Sequence, residues 1–102
     1  MTRKATFRIE QPGAAVLAGS LDFATVPPIW LEVQAWLTGQ TTVALSLRDV
    51  TTSNSAALVL LLEAIGYAKE QAITLTINAI PTDLLELARL SHVDGLLLAP
   101  PT

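Results

Sequence analysis

Cysteine is absent from this 102-residue chain, which excludes disulfide bridges, thiolate metal sites and thiol nucleophiles. Charge is also scarce. Asp, Glu, Lys and Arg together make 15% of the residues, against about 25% in an ordinary soluble domain. The six Lys and Arg residues form no basic block and the net charge is −3. The positive stripe that neutralises nucleic-acid phosphates is therefore missing, and no nucleic-acid partner is expected. Long hydrophobic runs are lacking too. The longest, residues 56–62, falls far short of the roughly 20 residues that cross a bilayer. Met1-Thr2-Arg3-Lys4 is basic, but no apolar segment follows it, so no signal peptide is read. A cytoplasmic location is expected, with membrane association only through a partner. His92 is the one histidine, and no second ligand or base stands out near it. There is no G-x-S-x-G elbow, no P-loop, no G-x-G-x-x-G and no carboxylate pair with an obvious base. A binding module is expected rather than an enzyme, with no metal and no cofactor.

What remains is greasy. Hydrophobic residues make 51% of the chain, which fits one domain over residues 1–102 with a well-filled core and an apolar face for a partner. Residues 5–11 alternate, Pro12-Gly13 signals a turn, and residues 14–18 resume as a strand, so an antiparallel hairpin opens the fold. Gly19-Ser20-Leu21-Asp22 reads as a loop, with Asp22 bracing it. Thr25 is the expected cap of a helix with Pro27-Pro28 in its first turn and Val26, Ile29, Trp30, Val33, Trp36 and Leu37 as its stripe. Thr38-Gly39 closes it. Strands follow at 42–47 and 73–77, and a third helix starts at Pro81-Thr82-Asp83 with Leu84, Leu85, Leu87, Ala88 and Leu90 toward the core. Ser91 to Gly95 breaks it, Leu96-Leu97-Leu98 is read as a short edge strand, and Pro100-Pro101-Thr102 as a frayed tail. The order predicts an α/β fold: a mixed sheet of four to five strands with three helices and right-handed crossovers.

The stretch from Leu45 to Gln71 carries the chemistry. Thr51-Thr52-Ser53-Asn54-Ser55 is five small polar residues, expected as a turn, before the apolar helix that begins near Ser53 to Ser55. Asp49 is expected to position that turn or to meet a partner. Ser55 reads in two ways. As a helix cap it contributes about 1 kcal/mol. As a regulatory or interface hydroxyl it would place a phosphate of roughly −1.5 to −2 charges at a helix N-terminus, where backbone N–H groups favour anions. Leu58, Leu61, Leu62 and Ile65 form the stripe expected on the sheet. Ala56, Leu60, Glu63, Ala64 and Tyr67 form the stripe expected to face outward.

Three motifs resemble one family. Gly19-Ser20-Leu21-Asp22 is similar to a G-x-L-D after a second strand. Leu45-Ser46-Leu47-Arg48-Asp49-Val50 is similar to a hydrophobic-Asp-Leu-x-x-Val strand end, with Ser46 in the Asp position. Asn54-Ser55-Ala56-Ala57-Leu58 resembles Asp-Ser/Thr-x-Gly-Leu. Together they resemble the STAS domain, the fold of anti-sigma-factor antagonists and of the regulatory ends of some anion transporters. The resemblance spans nearly the whole chain. Pro27-Pro28-Ile29-Trp30, the run 58–62, Leu87-Ala88-Arg89-Leu90 and the short C-terminus are most similar to the branch serving bacterial phospholipid-trafficking ABC systems. It implies a non-catalytic regulatory or assembly subunit that binds the ABC ATPase, peripheral to the inner membrane through that partner and concerned with outer-membrane lipid asymmetry. Asn54, Ser55, Ala56 and Tyr67 are the expected contact residues. The alternative it implies is an anti-sigma-factor antagonist switched by phosphorylation of Ser55. Asn54 and Ala57 depart from the Asp and Gly of that motif, and Asn54 together with the transporter-like stretches favours the transporter.

Overall fold

A computed structural model of the chain describes residues 5–98. β1 (Ala5–Gln11) and β2 (Ala14–Leu21) form the opening antiparallel hairpin around Pro12-Gly13. Gly13 takes φ 78, a region L side chains rarely enter, and a Cβ there would stand 3.3 Å from the Thr42 carbonyl oxygen. The next elements are α1 (Val26–Leu37), β3 (Thr42–Ser53), α2 (Ser55–Glu70), β4 (Thr74–Asn78), α3 (Thr82–Leu90) and α4 (Asp94–Leu98). Sheet order is β1-β2-β3-β4, with β2/β3 and β3/β4 parallel. Leu17, Leu45 and Leu47 from the strands, Ile29 and Val33 from α1, Leu60 and Leu61 from α2, and Leu84 from α3 are fully buried in one cluster. Alternation turns Arg8, Ser46 and Thr76 to the opposite face of the sheet.

The mixed sheet and the hairpin match the expected architecture, and four details differ. Gly19 to Leu21 continue β2 rather than forming a loop, and Thr51 to Ser53 continue β3 rather than turning. The two extensions hold each other, with Gly19 opposite Val50, Ser20 opposite Thr52 and Leu21 opposite Ser53. β-Branched threonines suit that paired strand. The expected edge strand 96–98 is instead part of α4, so the sheet has four strands and the helices number four among the described residues. His92 closes α3 in the left-handed region, with φ 59 and the Val93 N–H on the Ala88 carbonyl at 2.9 Å. That turn sends the chain back over α2 and α3, where Leu97 joins the core. Leu90 points outward, since it sits at the end of α3. The expected tail 100–102 lies outside the described residues.

Loop bracing before α1 is also redistributed. The Thr25 hydroxyl caps no α1 N–H. The Asp22 carboxylate accepts the Ala24 and Thr25 N–H groups at 2.9 Å each. Thr25 Oγ1 accepts the Asp22 N–H at 2.9 Å and donates to the Ser20 carbonyl at 2.8 Å. Asp22 is thus the brace that its place in the sequence suggests.

Ala72 ends α2 at φ 58, with the Ile73 N–H on the Ala68 carbonyl at 2.8 Å. Glycine usually stands at such a helix end. Ala72→Gly is expected to stabilise the fold by about 0.5–1 kcal/mol, the left-handed penalty less the entropy glycine loses. A thermal melt should show this as a rise of a few degrees.

Candidate partner-docking surface

The parallel strands β2 and β3 end side by side, and α1 and α2 start from their carboxyl ends. The Asn54 N–H on the Leu21 carbonyl at 3.3 Å joins the two exits. Asn54, not Ser55, caps α2: its extended backbone (φ −136) lets its Oδ1 accept the Ala56 N–H at 2.8 Å. Ser55 is thereby freed from capping. It is the first helical residue, exposed, and its hydroxyl has no partner among the described residues. Beside it, Thr52 Oγ1 donates to Ser20 Oγ at 2.7 Å.

The four expected contact residues do not converge. Ala56 is 2% exposed and belongs to the core, as do Leu60 and Ala64 of the same stripe. Tyr67 is half-buried twelve positions after Ser55, roughly 18 Å along the axis and about 120° around it. Its hydroxyl pairs with Thr38 Oγ1 at 2.7 Å, and its ring meets Trp30 edge-on at 6.1 Å and 86°. Trp30 is correspondingly half-buried, whereas Trp36 is the core tryptophan, edge-on to Phe7 at 5.5 Å.

The outward stripe of α2 runs instead through Ser55, Val59, Glu63, Gly66 and Glu70. Almost every early position of α2 is apolar, so hydrophobicity alone does not orient the helix and leaves the expected stripe out of phase. The later charges Glu63, Lys69 and Glu70 hold the phase that a wheel of about 100° per residue needs. Val59 is 52% exposed, Leu31 of α1 is 66% and Phe23, in the loop before α1, is 69%. These three fall outside the expected contact set. The outer arc of α1 is Pro27, Pro28, Leu31, Ala35 and Thr38, with no charge on it. Between α1 and α2 lies an open groove of 510 Å³, lined by residues that include Trp30, Leu62, Glu63, Gly66 and Tyr67.

A network of ion pairs lies elsewhere, on β1 and β3. Arg48 is bound to the Glu10 carboxylate, Arg8 reaches Glu10 at 3.4 Å, and both arginines lie 3.9 Å from Asp49. Asp49 thus joins this network rather than bracing the α2 turn. The hydrogen bond from Arg48 holds the Glu10 carboxyl below the usual carboxylate range and pushes the Arg48 guanidinium up. A carboxyl depressed in the folded state contributes stability above its unfolded pKa and loses it as pH falls through the folded value. Glu10→Gln should therefore flatten the fall in Tm between about pH 5 and pH 3. Melts at a series of pH values read this directly. No group of three His, Cys, Asp or Glu side chains among the described residues is arranged to hold a metal ion. No helix among them is long and apolar enough to cross a membrane.

A family model described as "Mlab, STAS domain" matches residues 7–99. The chain belongs to the STAS family. Solved structures of two anti-sigma factor antagonists share its fold. The anti-sigma factor antagonist SpoIIAA in its unphosphorylated form superposes with a TM-score of 0.70 at 14% identity, over 90% of this chain and 84% of that one. An anti-sigma factor antagonist from Mycobacterium paratuberculosis gives 0.68 at 19% identity, over 96% and 86%. No curated protein sequence matches this STAS domain.

Proposed function

We propose that this STAS domain is a non-catalytic regulatory subunit of the MlaB type, docking onto the ATPase of a phospholipid-trafficking ABC transporter. One observation carries the reading. Large apolar side chains stand exposed on α1, on α2 and in the loop before α1, namely Leu31, Val59 and Phe23, and Val59 lines the α1–α2 groove. Exposed apolar area of that kind marks a protein partner, and the family description points to the transporter branch. The chain reaches the cytoplasmic face of the inner membrane through its partner. Binding can stabilise an assembled or active ATPase only through contacts that differ between the partner's states.

A second reading rests on Ser55. Its free hydroxyl at a helix N-terminus is open to a kinase, and phosphate there would repel or re-dock an anti-sigma factor. The likeness in fold to two anti-sigma factor antagonists accompanies it. Isolation of the tagged chain from its own cells in mild detergent, with mass spectrometry of what accompanies it, separates the two. An ABC ATPase and its permease support the transporter reading. A soluble kinase-like protein in their place overturns it.

A further inference from the structure

Gly66 stands in the interior of α2, where glycine weakens a helix relative to alanine. The fold gains nothing from it. A Cβ built there meets no atom within 4 Å, so the chain itself has room for a side chain. Gly66 nonetheless lines the α1–α2 groove, and its bare backbone lets another chain approach closely.

The walls of the same groove carry chemistry of one kind. Glu63 and Glu70 both line it, and neither has an ion pair or hydrogen bond among the described residues. They lie seven positions apart on α2, ~10 Å along the axis. Among the described residues, no Lys, Arg or His lines the groove. Trp30 and Tyr67 stand nearly perpendicular to each other at its side. Aromatic faces and carboxylates both attract cations, and a guanidinium can use the two together.

We propose that this groove seats a basic helical segment of the protein partner, pressed against Gly66, with two cationic side chains reaching Glu63 and Glu70. The proposal rests on the docking reading above and names the chemistry of what docks. Basic residues two turns apart on the incoming helix match the spacing of the two glutamates. Small or apolar residues between them meet Gly66 and Tyr67, and apolar residues beyond the Glu63 end meet Val59 and Leu62. The groove is open along the helices, which suits a helix better than an enclosed small molecule.

The test uses the full chain and a synthetic probe, an amphipathic helical peptide of Leu and Ala with arginines seven positions apart. Its control carries glutamates at those positions. Nuclear magnetic resonance follows the Gly66 amide and the Trp30 indole N–H. Both signals are expected to shift with the arginine peptide, less so at high salt, and not with the glutamate peptide. Gly66→Ala should raise Tm by several degrees yet weaken peptide binding at least tenfold, and Glu63→Lys with Glu70→Lys should abolish it. Equal shifts with both peptides, no shift at millimolar peptide, or full binding by Gly66→Ala overturns the proposal. So does tetramethylammonium matching the peptide's affinity, which would make the groove a small-cation site. Isolation of the ATPase together with a failed peptide test discards the seat and keeps the docking. A successful peptide test without an ATPase does the reverse.

Discussion

Val59→Lys is expected to weaken association with the ATPase by more than thirtyfold, the loss that marks an interface hot spot, while leaving the fold intact. Val59 is half exposed on the outer stripe of α2, one turn after Ser55, and lines the groove. In the free chain a lysine there keeps its ammonium in water, so stability should stay within about 0.5 kcal/mol. In the complex that lysine would break the apolar contact made at Val59 and compete with the partner's cations for Glu63, one helical turn away, and both effects oppose binding. Titration of the purified variant against the ATPase, beside a thermal melt, checks both halves. Unchanged affinity would remove this face of α2 from the interface.

The second large effect is structural and lies two positions away. Leu61 is fully buried, in contact with the cluster that joins α2 to the sheet. Leu61→Ala removes the side chain and leaves a cavity that tight packing closes only in part. The expected loss is about 3–5 kcal/mol, a large share of the ~5–15 kcal/mol that holds a domain of this size. Urea denaturation should show the midpoint falling with the slope unchanged. A loss below about 1 kcal/mol would mean that α2 is packed more loosely than its burial implies. The pair Val59 and Leu61 separates the two duties of one helix, since neighbouring residues serve the partner and the core.

Much of this architecture is legible in the sequence. The hairpin follows from alternation and Pro12-Gly13, and α1 follows from its Pro27-Pro28 start and its stripe. Each signal is local, made by residues next to one another in the chain. The extensions of β2 and β3 are not legible. Gly19-Ser20 and Thr51-Thr52-Ser53 read locally as turn residues, and only their pairing across the parallel ladder makes them strands. Leu96 to Leu98 pose the same problem: three leucines suit a buried strand or a helix equally, and the left-handed turn at His92 decides between them.

The docking face is legible in part. Ser55 stands out in the sequence both as a cap and as an interface hydroxyl, because nothing there separates Asn54 from Ser55 as the residue that receives the Ala56 N–H. Tyr67 lies in the groove region, while Ala56 lies in the core. The apolar residues that extend the face, Phe23, Leu31 and Val59, look in sequence like any other core residues. Exposure is a property of the whole packing, so only the fold reveals it.

The most direct test of the central claim is amide hydrogen exchange on the chain, free and in complex with the ATPase. The docking account predicts added protection along α1 and α2, strongest from Ser55 to Gly66, with β1 and β3 unchanged. Protection confined to β1 and β3, around Arg8, Glu10 and Arg48, would contradict it and move the interface to the opposite face of the sheet.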